Sequence, residues 1–282
     1  MAIEAKLVQE LRSRTGAALM DCKKALQEAG GDLERAVDHL RKTGLKGAEK
    51  RAGRETAEGR VRVWVAPDGK VGAMVCLTSE TDFVARTDEF ASLAGELAEH
   101  VARVNPDTAE SLLDNPFRGR GTSVGEALKA FSGKLGENMR VTQIQRYESP
   151  AGRVGGYVHH DGKTGALIAI RSERPAAEVD AFLKSLGMHI AAMRPQALSR
   201  ERLPAEAIER ERAIYLESED VLQKPADKRE MIVKGKLERF FKDAALLDQP
   251  WVLDPKLSVA KAAEAALGKG ASIEAYALFR LG

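Results

Sequence analysis

A chain of 282 residues is long enough for two to three modules, each with its own core. Charged residues make up 30 % and aromatics 5 %, and 44 Lys+Arg against 42 Asp+Glu leave a formal charge of +2, which excludes a nucleic-acid binder driven by bulk charge. No apolar run approaches the roughly 18 residues of a membrane span, and Cys22 and Cys76 stand far apart without a metal-type spacing, so a reduced, cytoplasmic setting is expected.

The N-terminal "MAIEAKLVQELRSR" reads as an amphipathic helix with acidic residues, neither a signal nor a transit peptide. Its apolar stripe is Leu7, Val8 and Leu11, and "RTG" ends it. Asp21 caps or opens a second helix with Ala25 and Leu26 inward. Asp32 caps a third, with Val37 and Leu40 as its buried stripe. Together these make a three-helix domain over residues 1–45. The Gly- and charge-rich stretch that follows, 46–58, lacks apolar periodicity and reads as a linker, helical in part.

From Gly59 the period changes to two. "GRVRVWV" alternates Val61, Val63 and Val65 against Arg60, Arg62 and Trp64, "APDGK" supplies a turn, and "VGAMVCL" is a return strand covered on both faces. This hairpin occurs twice. "GRVRVWVAPDGKVGAMVCLTSE" (59–80) aligns without gaps on "GRVGGYVHHDGKTGALIAIRSE" (152–173), half of the positions being identical, which implies an internal duplication. Each copy then runs into a helix ending alike, "HVARVNP" and "HIAAMRP". The first copy has four more residues on the way, placed where "TDFV" (Thr81–Val84) sits. The copies also close alike, on "LGENMRVTQIQRYES" and "LGKGASIEAYALFRLG". The core subdomains are therefore expected at 59–150 and at 151–202 plus 248–282. Residues 203–247 are read as a helical hairpin of coiled-coil or dimerisation type, its seam formed by Ala207, Ile214 and Val221 on one arm and Val233, Leu237, Phe240 and Ala244 on the other.

Several short motifs have plainer explanations. "GTSVG" fits a hydrolase elbow at Ser123, with Asp161 and His189 downstream, but a polar Pro/Gly loop precedes it where a buried strand is required. Ser123 is then the N-cap of "VGEALKAF". "GRGTSVG" has the wrong spacing for a dinucleotide loop. The pair His159-His160 with Asp161 has no second ligand cluster, so no metal is expected. For "TDFV" the plain reading is a helix start, Thr81 or Asp82 as N-cap and Phe83 as an apolar staple. The duplication argues the other way, since a core Phe has a counterpart in the sister copy and Phe83 has none.

The stretch "LVQELRSRTGAALMDCKKALQEAGGDLERAVDHLRK" resembles the N-terminal domain of the bacterial elongation factor Ts family, and "SETDFVAR" resembles that family's second signature. The likeness spans the whole chain, including "LGEN" and "QPWVLDP". It implies an α+β fold: an N-terminal three-helix (UBA-like) domain, a duplicated core of small antiparallel sheets packed with helices, and the inserted helical hairpin. It implies a guanine nucleotide exchange factor without chemical catalysis or cofactor, acting on the translational GTPase elongation factor Tu in its GDP-bound and nucleotide-free forms. Carried over residue by residue, Thr81, Asp82, Phe83 and Val84 form a tip that dislodges the partner's Mg²⁺. Arg12, Leu19, Met20 and Lys23 fall in the docking region, and His159 at a partner contact, with His160 beside it as the other candidate ring. A homodimer or a two-to-two complex stays open, and neither membrane nor specific nucleic-acid binding is expected. The alternatives are a protein-binding adaptor without exchange activity and a hydrolase using Ser123. Three departures from the family stand out: Ala18 where Gly is frequent, 114–123 as an apparent insertion, and a chain that stops at "ALFRLG" without a C-terminal helical extension.

Overall fold

Short amphipathic stretches open the chain, and each becomes a helix with its apolar side turned in. The computed structural model describes residues 3–282; Met1 and Ala2, part of the first amphipathic stretch, lie outside them. Helices α1 (Ala5–Thr15), α2 (Leu19–Glu28) and α3 (Leu33–Arg51) enclose a small core of Val8, Leu11, Cys22, Ala25, Leu26 and Ala36. Asp32 caps α3, accepting the Arg35 N–H at 3.0 Å. Asp21 is no cap: α2 begins at Leu19 after Ala18, which places Asp21 inside the first turn, where its charge suits the helix dipole. On α3 the fully buried position is Ala36, with Val37 and Leu40 partly buried against the same cluster.

The same helix continues within the expected linker 46–58 to Arg51, which accounts for the linker's helical part. Its second half packs through small residues, Gly44 and the buried Ala48, so a search for large apolar residues at helical spacing finds nothing there.

The chain divides into two compact units: Met1–Trp64, Ala73–Arg146 and Phe279–Gly282 in one, Val65–Gly72 and Tyr147–Leu278 in the other. In the first half of the core, β1 (Glu58–Val65) and β2 (Val71–Ser79) lead through the single-turn α4 (Asp82–Ala85) into α5 (Asp88–Val104). Then follow α6 (Ala109–Leu113), a small antiparallel hairpin β3 (Pro116–Phe117) and β4 (Thr122–Ser123), α7 (Val124–Leu135) and β5 (Met139–Glu148). The sheet order is β1-β2-β5, with β2 buried from Gly72 to Ser79. On the outer strand β1 only Val61 of the three valines is buried, and Val63 and Val65 are partly exposed.

The second half repeats this. β6 (Gly152–Val158) pairs antiparallel with β7 (Thr164–Arg171), then come α8 (Ala176–Met193), the insertion, the hairpin β8 (Pro250–Trp251) and β9 (Asp254–Ser258), α12 (Val259–Leu267) and β10 (Ser272–Arg280). The order β10-β7-β6 again puts the return strand in the centre. Equivalent positions keep their detail. A Cβ on Gly59 would lie 2.2 Å from Leu77 O, and one on Gly152 1.9 Å from Ile170 O, so each copy needs Gly where its first strand crosses the second. Asn105 and Arg194, the two non-glycine residues with positive φ among those described, end α5 and α8 at matching places.

The segment 114–123, expected as an insertion, has a partner in the sister half. Val124 N donates to Asn115 O at 2.9 Å and Val259 N to Gln249 O at 2.9 Å, while Ser123 and Ser258 both cap the helix that follows. The two differ too much in sequence for the duplication to be seen there directly.

The insertion forms α9 (Ala205–Glu217), α10 (Glu219–Leu222) and α11 (Ala226–Ala244). Val233 and Ala244 are buried, but the heptad Ala207, Ile214, Val221 is not the seam, Ile214 being 52 % exposed. Ser218 interrupts the helix with extended backbone, so Val221 belongs to a new element whose register does not continue that of α9. Among the described residues no helix is long and apolar enough to cross a membrane.

Candidate functional site

Between Ser79, where β2 ends, and Asp88, where α5 begins, the chain makes one extra helical turn; between Arg171 and Ala176 in the sister half it makes none. Thr81 is extended (φ −125°, ψ 157°) and its hydroxyl accepts the Val84 N–H at 3.4 Å, so the cap falls on Thr81 and Asp82 is the first helical residue. Asp82 pairs with Arg86 at 2.8 Å on the same turn. Ala85 points in, and its carbonyl accepts from Arg60 Nε at 2.9 Å. Thr87 closes the turn, donating to Val84 O at 2.8 Å while accepting the Phe90 N–H at 3.2 Å to start α5. Both ends of α4 are thus fixed. Phe83, between them, is 82 % exposed, more than any other large apolar residue described. The staple expected from local pattern is absent: the aromatic that enters the core here is Phe90.

The turn has a further anchor that sequence reasoning did not single out. Glu137 accepts the Thr81 hydroxyl at 2.5 Å on Oε1 and the Thr81 N–H at 3.0 Å on Oε2. Its neighbour Asn138 donates its N–H to Glu80 Oε1 at 2.6 Å, which, with Arg54 adding, holds the Glu80 carboxyl below the usual carboxylate range. The signal was the difference between "LGEN" and "LGKG" at the ends of the two copies.

In the three-helix domain Arg12, Leu19, Met20 and Lys23 are all exposed, Leu19 and Met20 by 47 and 69 % at the start of α2. Leu19 and Lys23 are one turn apart on one face. Ala18 adopts φ −60°, a conformation open to any residue, so the missing Gly leaves no strain. In the other unit the His159 ring is tied through Nδ1 to the Tyr157 hydroxyl at 2.9 Å and lies 4.2 Å from the His160 ring, which is the more exposed of the two.

Ser123 is an N-cap in a complete capping box with Glu126 and ends a two-residue, partly exposed strand that follows a Gly turn, where the elbow requires a buried strand leading in. His189 is fully buried, with Nε2 on Gln249 Oε1 at 2.9 Å and Nδ1 accepting the Val252 N–H at 3.3 Å, so neither ring nitrogen is free for proton transfer. The hydrolase reading of these residues has no geometry to stand on.

Residues 80–282 match the family model described as elongation factor Ts. Curated proteins named elongation factor Ts are similar over the full length. That of Magnetococcus marinus is 38 % identical over 100 % of this chain and 93 % of its own, and that of Trichlorobacter lovleyi 39 % over the same shares. That of Symbiobacterium thermophilum is 41 % identical over 95 and 87 %.

Proposed function

The chain belongs to the elongation factor Ts family, and from that premise we propose that it is a guanine nucleotide exchange factor for elongation factor Tu, with Phe83 as the wedge that opens the nucleotide site. It catalyses no chemical step of its own. The observation that carries the wedge reading is the exposure of Phe83 on a turn capped at both ends and lacking a counterpart in the duplicated half.

The physics is linkage. A protein that binds the nucleotide-free GTPase more tightly than the loaded one weakens nucleotide binding by the same factor. Mg²⁺ held by the partner would supply charge neutralisation to the nucleotide phosphates, so disturbing its surroundings would speed release. A rigid aromatic concentrates contact energy in a small area and loses little rotamer entropy on burial. Asp82, paired with Arg86, sits at the base of the same turn. Arg12, Leu19, Met20 and Lys23 supply an exposed apolar pair with flanking cations for docking, and His159 a second contact, its ring oriented by Tyr157.

The test is release of a fluorescent GDP from elongation factor Tu. Phe83→Ala is expected to slow it at least about tenfold, about 1.4 kcal/mol of transition-state stabilisation; Asp82→Ala is to be run beside it, and an unchanged Phe83→Ala rate removes the wedge assignment. His159→Ala is expected to weaken the complex more than His160→Ala, measured by titration of the two proteins. The reverse order would assign the contact to His160.

A further inference from the structure

A single helical turn has almost no stability of its own, because nucleation costs more than one hydrogen bond returns. Nothing on Phe83 itself holds α4 in place, since its ring is outside the core. Its direction is set by the root of the turn, and there the chemistry is specific. The Thr81 hydroxyl lies between two groups, donating to Glu137 and accepting from Val84 N, so the carboxylate fixes the rotor that caps the helix. The second carboxylate oxygen takes the Thr81 N–H, which holds the backbone as well.

Two dipeptides here clasp each other. Glu80-Thr81 and Glu137-Asn138 each give a carboxylate to a backbone N–H of the other. Asn138, 5 % exposed, also donates its amide to Ala52 O at 3.3 Å and Arg54 O at 2.8 Å, just beyond α3. The sister half supplies an internal control. Glu80 has its counterpart in Glu173, but where the first half has Glu137-Asn138 after the helix-ending Gly136, the second has Lys269-Gly270 after Gly268. The half without the turn is also the half without the carboxylate and amide.

We propose that Glu137 is a positioning residue for nucleotide exchange: it holds Thr81 by two charge-assisted hydrogen bonds and thereby aims Phe83. This rests on the reading of Phe83 as the wedge. Glu137 acts through Phe83, so its removal lowers the rate reached at saturation and spares the affinity of the complex, which is built elsewhere.

The experiment measures fluorescent GDP release from elongation factor Tu across a range of concentrations of the full chain, giving a maximal rate and a half-saturating concentration. Glu137→Ala is expected to lower the maximal rate about fivefold, the scale set by the net worth of one intramolecular hydrogen bond, with half-saturation unchanged within about twofold. Phe83→Ala/Glu137→Ala is expected to be no slower than Phe83→Ala, because two residues acting through one contact are non-additive. Glu137→Gln, which keeps one acceptor, is expected to fall between. A double variant slower than Phe83→Ala by the full Glu137 factor assigns Glu137 a purely structural role and overturns the proposal, as does a change confined to half-saturation. An unchanged maximal rate for Glu137→Ala beside a slowed Phe83→Ala overturns it while the wedge stands; an unchanged Phe83→Ala overturns both. Should Glu137→Ala melt early, Thr81→Val, which deletes the same hydroxyl bond, enters the same cycle with the same expectation.

Discussion

Phe83 and Phe90 lie seven residues apart with opposite fates, one 82 % exposed and one fully buried on α5. Phe83→Ala therefore removes almost no buried area and is expected to leave the thermal midpoint within about 1 °C of the parent. Phe90→Ala is expected to cost about 3–5 kcal/mol in denaturant unfolding, the range for emptying an aromatic core site. A marked fall in midpoint for Phe83→Ala would mean that the ring packs down in solution. Local pattern around "TDFV" favoured the opposite fate, because a capping Thr followed by an aromatic is how stapled helices begin. The four-residue offset between the copies and the family resemblance pointed outward. Glu137 was not readable in this way, since its meaning depends on a contact across 56 positions of chain.

Among elements, the crossing of α3 on α7 is made by glycines and is asymmetric. A Cβ on Gly133 would meet Gly44 Cα at 2.8 Å and the same residue's carbonyl at 2.9 Å, all backbone. A Cβ on Gly44 would meet Gly133 Cα at an ordinary 3.5 Å. Gly133→Ala is expected to destabilise by about 1–3 kcal/mol through overpacking. Gly44→Ala is expected to be neutral or to stabilise by up to about 1 kcal/mol through helix propensity. Urea unfolding of both variants checks the pair, and equal effects would contradict this crossing. The same contact explains why α3 was read as ending at 45: helix faces built from Gly and Ala carry no hydrophobic periodicity. Charged and aromatic residues obscured the seam of α9 similarly, where Lys236 lies over the Tyr215 ring and Arg212 pairs with Glu230 across the two arms. By contrast the strands of the duplicated hairpin, with their explicit DGK turns, were readable in extent almost to the residue. The two-residue strands β3, β4 and β8 and the short β9 carry no pattern long enough to read.

At the scale of the whole molecule the duplication has left a buried histidine in each half. His100 stands edge-on to Phe117 at 5.2 Å and His189 stacks on Trp251 at 5.2 Å. Burial holds both imidazoles below their ordinary value, the Gln249 bond opposing this for His189. His100 has no hydrogen-bond partner on either ring nitrogen. The unfolded chain takes up protons near pH 6.5 while the folded chain resists them, so this stability is present above about pH 6.5 and is lost as pH falls towards the folded values. Thermal midpoints are expected to drop between pH 7 and pH 5. His100→Leu, which removes two orphaned nitrogens, is expected to flatten that slope; a parallel curve would assign the acid limb to other groups.

The length of α3 sets one more property of the protein. At about 1.5 Å per residue its 19 residues form a rod of about 28 Å whose first half belongs to the three-helix domain and whose second half runs out of it, and Asn138 grips the chain just past its end. A flexible tether would let the domain and the α4 turn engage a partner one after the other, each at an effective concentration fixed by chain statistics. A rod leaves no such search: whatever meets one surface meets the other at a preset distance and rotation. A single residue inserted in α3 would turn the domain by about 100°, a change in phase rather than in reach.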